Sequence, residues 1–399
     1  SSPLYPGVQE TDYQRNIVLK KEYFMKILYA TSEAAPFCKT GGLADVAGSL
    51  PPALAAEGAQ VAVILPMYQR VKEKFGDQMK FLCYDYVDLA WRHCYCGLFS
   101  LEQDGVTWYF VDNEQYFNRP DLYGYTDDGE RFGFFSRAVV RMLPHLAFWP
   151  DVIHCNDWQT AMIPVYLKAT YHTTPLKHTR CMYTIHNIEY QGWANASFFD
   201  DMLGLPCEYR PRLDMNNSVN VMKGAIETAD LVTTVSETYA RELMYPYYAH
   251  GLDNVLAGNS WKLTGITNGI DTNTFNPETS KSLPAHFNAE TFVEGKAKCK
   301  AALQEEVGLP VKPDVPLMVM VTRLAGHKGL DLLCYIARRL LWEEDAQLLI
   351  LGTGEAQYER FFQDLAAQYP EQVSAKITFN LGLAARIYAG GDVYLMPSK

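Results

Sequence analysis

From Met25 onward, short apolar, β-rich runs alternate with polar-and-apolar stretches of helix length. The runs predict strands at 26–30, 61–65, 106–111, 152–154, 181–185, 231–235 and 265–267. Several are apolar almost throughout, as parallel strands must be when helices cover both faces of their sheet. The apolar-periodic stretch from Val46 to Ala56 predicts a first covering helix. Together they describe a doubly wound α/β domain. A second series follows, with strands predicted at 317–321, 347–351, 376–379 and 393–396 and helices at 330–342 and 358–368. Between the two lies 276–313, polar and with prolines at its ends, which reads as a linker.

The resulting plan is an N-terminal extension 1–24, a first domain 25–275, the linker 276–313 and a second domain 314–399. A chain of 399 residues exceeds one typical core, so two domains also follow from length. The last predicted strand is followed almost at once by Lys399, and a four-strand sheet is thin beside the first domain's seven. The expectation is therefore of a piece of a longer protein, with the loop at that strand's carboxyl end lying beyond Lys399.

A formal net charge of −11, with no basic block, argues against nucleic acid or an anionic membrane as partner. Any anionic ligand must then meet local positive charge. Nine cysteines, an odd number scattered from Cys38 to Cys334, suit a reducing compartment better than a disulfide framework. Cys94-x-Cys96 lacks a second half at zinc-site spacing, so no metal site is expected. No run of 18 apolar residues offers a membrane span, and the first 24 residues lack a secretory apolar core.

The segment Lys39-Thr40-Gly41-Gly42-Leu43-Ala44-Asp45 falls between the first strand and the first helix. Two glycines let backbone N–H groups approach an anion and Lys39 adds charge, a candidate phosphate cradle. The lysine precedes the glycines and the G-x-G-x-x-G spacing is absent, so this is neither an ATPase loop nor a dinucleotide fingerprint. An ordinary strand-to-helix turn with a solvated lysine fits the same residues. Ligands of parallel sheets sit beyond strand carboxyl ends, which directs attention to Asn156-Asp157-Trp158, His186-Asn187, Ser236-Glu237, Asn268-Gly269-Ile270-Asp271, Thr322-Arg323-Leu324 and Gly352-Thr353-Gly354.

Each has a structural alternative. Asp157 reads as a helix N-cap with Trp158 packed beneath, or as a site carboxylate. His186 reads as a satisfied structural histidine or a catalytic one. Asn268 to Asp271 reads as a turn with Gly269 at positive φ, and Gly352 to Gly354 as a tight loop or an anion nest. Arg323 and Lys328 flank a turn that leads into a helix N-terminus, where positive charge opposes the macrodipole and a bound diphosphate would relieve the conflict. The aromatic segments 91–95 and 116–125 are candidate glycan platforms, although 26 tyrosines make such clusters common.

These segments, in order, resemble the bacterial glycogen synthases and plant starch synthases from Met25 to Lys399. The resemblance rests on Ser32 through Val46, Asp151 through Gln159, Tyr183 through Asn187 with Tyr190 to Gly192, Thr234 through Glu242, Asn268 to Asp271, Thr322 through Asp331, and Arg386 through Asp392. It implies a GT-B fold of two Rossmann-like domains facing a cleft, the first for acceptor and catalysis, the second for nucleotide. It implies a glucosyltransferase that moves glucose from ADP-glucose, or alternatively UDP-glucose, to the non-reducing end of an α-1,4-glucan with retention and with no cofactor. By resemblance Lys39, Gly41, Gly42 and Asp45 serve the donor, Arg323 and Lys328 neutralise the diphosphate, His186 and Asp157 contact the glucosyl unit, and Asn268 lines the same cleft.

The implied compartment is cytoplasm, or plastid stroma for a plant protein. The family continues beyond the Met396-Pro397-Ser398 strand end into a loop whose glutamate faces the donor sugar, often with arginine where this chain has Lys399. Phe379-Asn380-Leu381-Gly382 stands where the family usually has an acidic pair. Two competing readings are a catalytically silent glucan- or nucleotide-binding protein and another retaining GT-B enzyme, such as a sucrose-forming transferase, against which the Lys39-Thr-Gly-Gly-Leu43 segment argues.

Overall fold

The computed structural model describes residues 24–146, 148–170 and 174–398. The extension read at 1–24 therefore lies almost wholly outside the described residues, as does Lys399. The chain divides into two compact units, Ser1–Gly269 and Ile270–Lys399.

Along the first unit run β1 (Lys26–Ala30), β2 (Gln60–Pro66), β3 (Lys80–Leu89), β4 (Arg92–Gln103), β5 (Val106–Asp112), β6 (Val152–Asn156), β7 (Arg180–Ile185), β8 (Trp193–Asn195), β9 (Asp214–Met215), β10 (Ser218–Asn220), β11 (Leu231–Thr234) and β12 (Leu263–Gly265). Nine of them form one sheet in the order β12-β11-β7-β6-β1-β2-β5-β4-β3, and β8-β10-β9 make a small separate sheet. Neighbours from β12 to β5 are parallel; β4 is antiparallel to both β5 and β3. The seven expected strands are the seven parallel ones. The additional pair escapes the apolar-run criterion because one face is solvated: in β3, Val87 and Leu89 are buried while Tyr84 and Tyr86 are exposed.

Strand order reverses at β1. The chain steps from β1 to β2 and β5 on one side, then returns to build β6, β7, β11 and β12 on the other. The crevice beyond the carboxyl ends of β1 and β6 is thus the topological switch point, where α/β sheets place ligands. The helices Gly42–Ala56, Asp128–Met142, Met162–Thr170 and Val221–Thr228 each contribute buried residues, and a continuous apolar cluster around Leu28, Ala30, Ile64, Phe110, Phe134, Ile163 and Tyr183 holds the strand ends in place.

The second unit holds a parallel sheet of β13 (Leu317–Val321), β14 (Gln347–Leu351), β15 (Val373–Lys376) and β16 (Val393–Tyr394), ordered β15-β14-β13-β16. Alternate residues of β14 feed different cores. Leu348 and Ile350 pack with Leu330, Leu333 and Phe362, from the helices Leu330–Glu343 and Ala356–Gln368. Leu349 and Leu351 pack with Leu303 and Ile387, from the helices Phe292–Val307 and Leu381–Gly390. This is the period-2 alternation of a sheet covered on both faces. Two differences from the sequence reading stand out. The polar stretch 276–313 carries the 16-residue helix Phe292–Val307, whose buried seam runs through Cys299, Leu303 and Val307. The strand expected at 376–379 lies at Val373–Lys376, because Val373 and Ser374 are buried and Phe379 is exposed.

Candidate active site

The turn after β1 is organised by a carboxylate. Glu33 is buried, and its Oε2 accepts hydrogen bonds from the Thr40 amide and the Thr40 hydroxyl, both at 2.6 Å. Burial pushes the Glu33 carboxyl up; the Thr40 and Gly41 donors pull it down, and the nearby charge of Asp157 adds to the upward push. Gly41 is the N-cap of the helix Gly42–Ala56, with extended backbone and no side-chain cap. Lys39 Nζ reaches both carboxylate oxygens of Asp45, in the first helical turn, at 2.6 and 2.8 Å. The structure thus gathers Lys39, Gly41, Gly42 and Asp45 on one turn and shows why the turn keeps its shape: Glu33 already serves some of the donors an anion would otherwise use.

The carboxyl ends of β6 and β7 are stitched together by side chains. Asn156, the last residue of β6, donates from Nδ2 to the carbonyls of Ala30 and His154, at 3.0 and 3.2 Å. Its Oδ1 lies 3.0 Å from the Tyr29 hydroxyl, which donates to it, and 2.9 Å from His186 Nε2. Asp157 follows at φ 55° and ψ −179°, a region that costs a residue with a Cβ about 1–3 kcal/mol. Its side chain does not cap the turn it precedes. Oδ1 instead accepts the backbone N–H groups of His186 and Asn187, at 2.7 and 3.2 Å.

Burial raises the Asp157 carboxyl to about 7, against the downward pull of those two amides. Burial lowers His186 to about 4. Beneath them His154, brought down to about 3 by burial, meets Thr184 Oγ1 at 2.6 Å, and Thr184 meets Thr233 Oγ1 at 2.6 Å. A polar chain therefore crosses β6, β7 and β11 directly under the strand ends. The structural half of the Asp157-Trp158 alternative survives in Trp158, which packs against Phe132 with ring centroids 5.3 Å apart. The N-cap half does not, since the Asp157 side chain is spent on the backbone that follows β7.

Asn268 is exposed beyond β12, two strands from β7. Gly269 does not adopt positive φ, contrary to expectation. The turn forms later, where Asp271 Oδ1 accepts the amides of Asn273 and Thr274 at 2.9 and 3.0 Å, and this side-chain turn spares Gly269 the left-handed conformation.

In the second unit Arg323 and Lys328 flank the turn after β13, which passes through Gly326–Lys328 and Gly329 into the helix Leu330–Glu343. Among the described residues neither side chain is held in a salt bridge. Gly329 takes φ 68°, and a Cβ there would lie 1.9 Å from the Pro397 carbonyl. Gly352 and Gly354 serve close packing rather than an anion nest: added Cβ atoms would meet the Thr322 and Leu324 carbonyls at 1.9 and 2.2 Å, and the Gly354 amide already donates to Glu359 Oε1 at 2.8 Å.

Sequence reasoning assigned no role to Glu33, Asn156 or Tyr29. Glu33 and Asn156 each lie at a strand's carboxyl end, the one signal available for them; the Tyr29 hydroxyl is hidden inside an apolar run. Among the described residues no group of three His, Cys, Asp or Glu side chains is placed to hold a metal ion. No helix among them is long and apolar enough to cross a membrane.

Residues 26–258 match the family model described as starch synthase catalytic domain. Glycogen synthases of Bacillus cereus and Exiguobacterium sibiricum are 47% and 48% identical over 377 and 381 residues, in each case 94% of this chain and 79% of the relative. The catalytic domain of starch synthase IV from Arabidopsis thaliana, solved bound to ADP and acarbose, superposes with a TM-score of 0.86 at 32% identity, covering 94% of this chain and 78% of that one. Parallel sheets in two α/β units agree with the GT-B fold of that catalytic domain. The chain belongs to the glycogen and starch synthase family of glycosyltransferases.

Proposed function

We propose that this protein transfers glucose from ADP-glucose to the non-reducing 4-hydroxyl of an α-1,4-glucan, with retention at the anomeric carbon. The observation that carries the reading is that, at the switch point of the first sheet, Glu33 of the turn bearing Lys39 lies close enough to feel the charge of Asp157, whose carboxylate holds the His186 amide. Lys39 and the Gly41–Gly42 backbone take the donor phosphate and sugar, and Asp45 holds the lysine extended toward them. Asp157 and His186 take the glucosyl unit, and Asn268 adds a polar contact. In the second unit Arg323 and Lys328 neutralise the departing diphosphate.

The chemistry follows from charge. Cleaving the sugar–phosphate bond builds positive charge on the sugar and negative charge on the diphosphate, and fixed cations on the leaving group lower that barrier. No cofactor is invoked. Transfer from ADP-glucose releases ADP, the nucleotide in the Arabidopsis complex, which favours it over UDP-glucose. Nine free cysteines fit a cytoplasmic or stromal setting.

Incorporation of labelled glucose into glycogen by the full-length protein, from ADP-glucose and UDP-glucose side by side, is the test. Incorporation from ADP-glucose at the higher kcat/KM is expected. A folded protein that binds glucan but incorporates from neither donor would overturn the reading.

A further inference from the structure

We propose that Asn156 is a positioning residue that fixes His186 as the neutral Nε2–H tautomer, so that Nδ1 offers only a lone pair to a hydroxyl of the transferred sugar. The inference rests on His186 contacting the glucosyl unit, as proposed above, and it adds which ring nitrogen acts and what sets it.

The argument is one of donor and acceptor counting. The Asn156 side chain has two donors on Nδ2 and a carbonyl oxygen that only accepts. Nδ2 lies against two backbone carbonyls, those of Ala30 and His154. Reversing the amide would set its oxygen against both and leave two buried acceptors facing a third, so the orientation is dictated by the ends of β1 and β6. Oδ1 therefore faces Tyr29 and His186. Tyr29 donates its hydroxyl hydrogen. At 2.9 Å from an atom that cannot donate, His186 Nε2 must carry a hydrogen too.

The surroundings keep the ring from gaining a second proton. Asp157, at the end of β6, spends Oδ1 on the backbone amides of His186 and Asn187 rather than on the imidazole. Glu33, on the loop after β1, is occupied by Thr40. His154, below on β6, is itself held neutral by burial, and a charge on it would repel one on His186. Tyr29 on β1 keeps its phenolic proton, and Tyr239, on the helix Glu237–Glu242, accepts from the Ile188 amide. With the ring neutral and Nε2 protonated, Nδ1 is an acceptor by elimination. An amide does not titrate in the working range, so Asn156 holds the Nε2 proton in place throughout the range in which the ring is neutral, above the value of about 4 at which Nδ1 would take up a proton.

Nuclear magnetic resonance of the full-length protein with ¹⁵N-labelled histidine tests the tautomer directly and needs no variant. One protonated nitrogen at Nε2 and one unprotonated nitrogen at Nδ1 are expected for His186 at neutral pH; a proton on Nδ1 would overturn the inference while leaving glucosyl transfer, measured separately, intact. Asn156→Asp keeps an acceptor at the same place but favours imidazolium. The acidic limb of its kcat/KM profile is expected to move up by about one pH unit or more.

Asn156→Ala releases the ring, and a roughly ten- to a hundredfold loss in kcat/KM is expected, together with a mixed tautomer signal. Folded variants with the parent's tautomer and pH profile would overturn the positioning role. Loss of all incorporation by the parent protein would instead overturn the assigned reaction, and the inference with it.

Discussion

At Asp157 the backbone strain and a half-buried, desolvated carboxyl belong to one residue, and each makes its own contribution to stability. Its folded-state value of about 7 lies above the ordinary 3.8. Between those two values the native state retains a proton that the unfolded chain has released, so this group's contribution falls as pH rises through the window, by roughly 4 kcal/mol in all. Asp157→Asn keeps the acceptor for the His186 and Asn187 amides and removes the titration. The variant is expected to be more stable than the parent at pH 8, to lose that advantage toward pH 5, and to be impaired in transfer. Urea unfolding at the two pH values measures this; parallel stability curves would refute it.

His154 and His186 act in the opposite sense. Both are depressed, to about 3 and about 4, so below pH 6.5 the unfolded chain takes up protons that the native state refuses, and stability falls on acidification. Lys39→Ala addresses the cradle. Loss of a charge-assisted phosphate contact worth about 1.5–3 kcal/mol lowers donor kcat/KM by roughly ten- to a hundredfold. Thermal stability should hardly change, because the Lys39–Asp45 pair is partly exposed. An unchanged kcat/KM in a folded variant would remove Lys39 from the donor site.

Among the elements, the two loops that leave β13 and β14 are pressed together by absent side chains. A methyl group at Gly354 would sit 2.2 Å from the Leu324 carbonyl, inside the bridge that pairs these residues. Gly354→Ala is expected to destabilise the second unit by about 1–3 kcal/mol and to speed hydrogen exchange in β13 and β14 while β1 and β6 keep their rates. Equal exchange in both sheets would argue against it.

The same loops show how far a sequence reading reaches. Strands β1, β13 and β14 fall at their expected bounds because each is a short apolar run buried on both faces. Strands β3 and β4 and the helix Phe292–Val307 do not announce themselves, since each presents a solvated face and only a narrow buried one. Asp157 and His186 were legible as residues that end strands. The partnership of Asn156 with Tyr29 and Ala30 was not, because it joins residues 126 or 127 positions apart and no local pattern records it.

At the scale of the molecule, the first unit buries one large apolar cluster and the second buries two, one on each face of its sheet. Calorimetric unfolding is expected to show two transitions, and Leu348→Ala, which empties a fully buried position of β14 at a cost of about 2–5 kcal/mol, should lower one and leave the other in place. A single transition displaced as a whole would show that the units unfold together.

The placement of β1 between β2 and β6 bears on how the protein comes into being at the ribosome. The Lys26 amide finds its acceptor on Asp151, 125 residues later, so a nascent chain holds its first strand with one flank open until that stretch has emerged. Closing so wide a loop costs entropy before any contact repays it. Asn156 and His186 come later still. Site geometry therefore cannot form until β6 and β7 have emerged, and a newly made chain in which Asn156 meets His186 has already completed its sheet across β1.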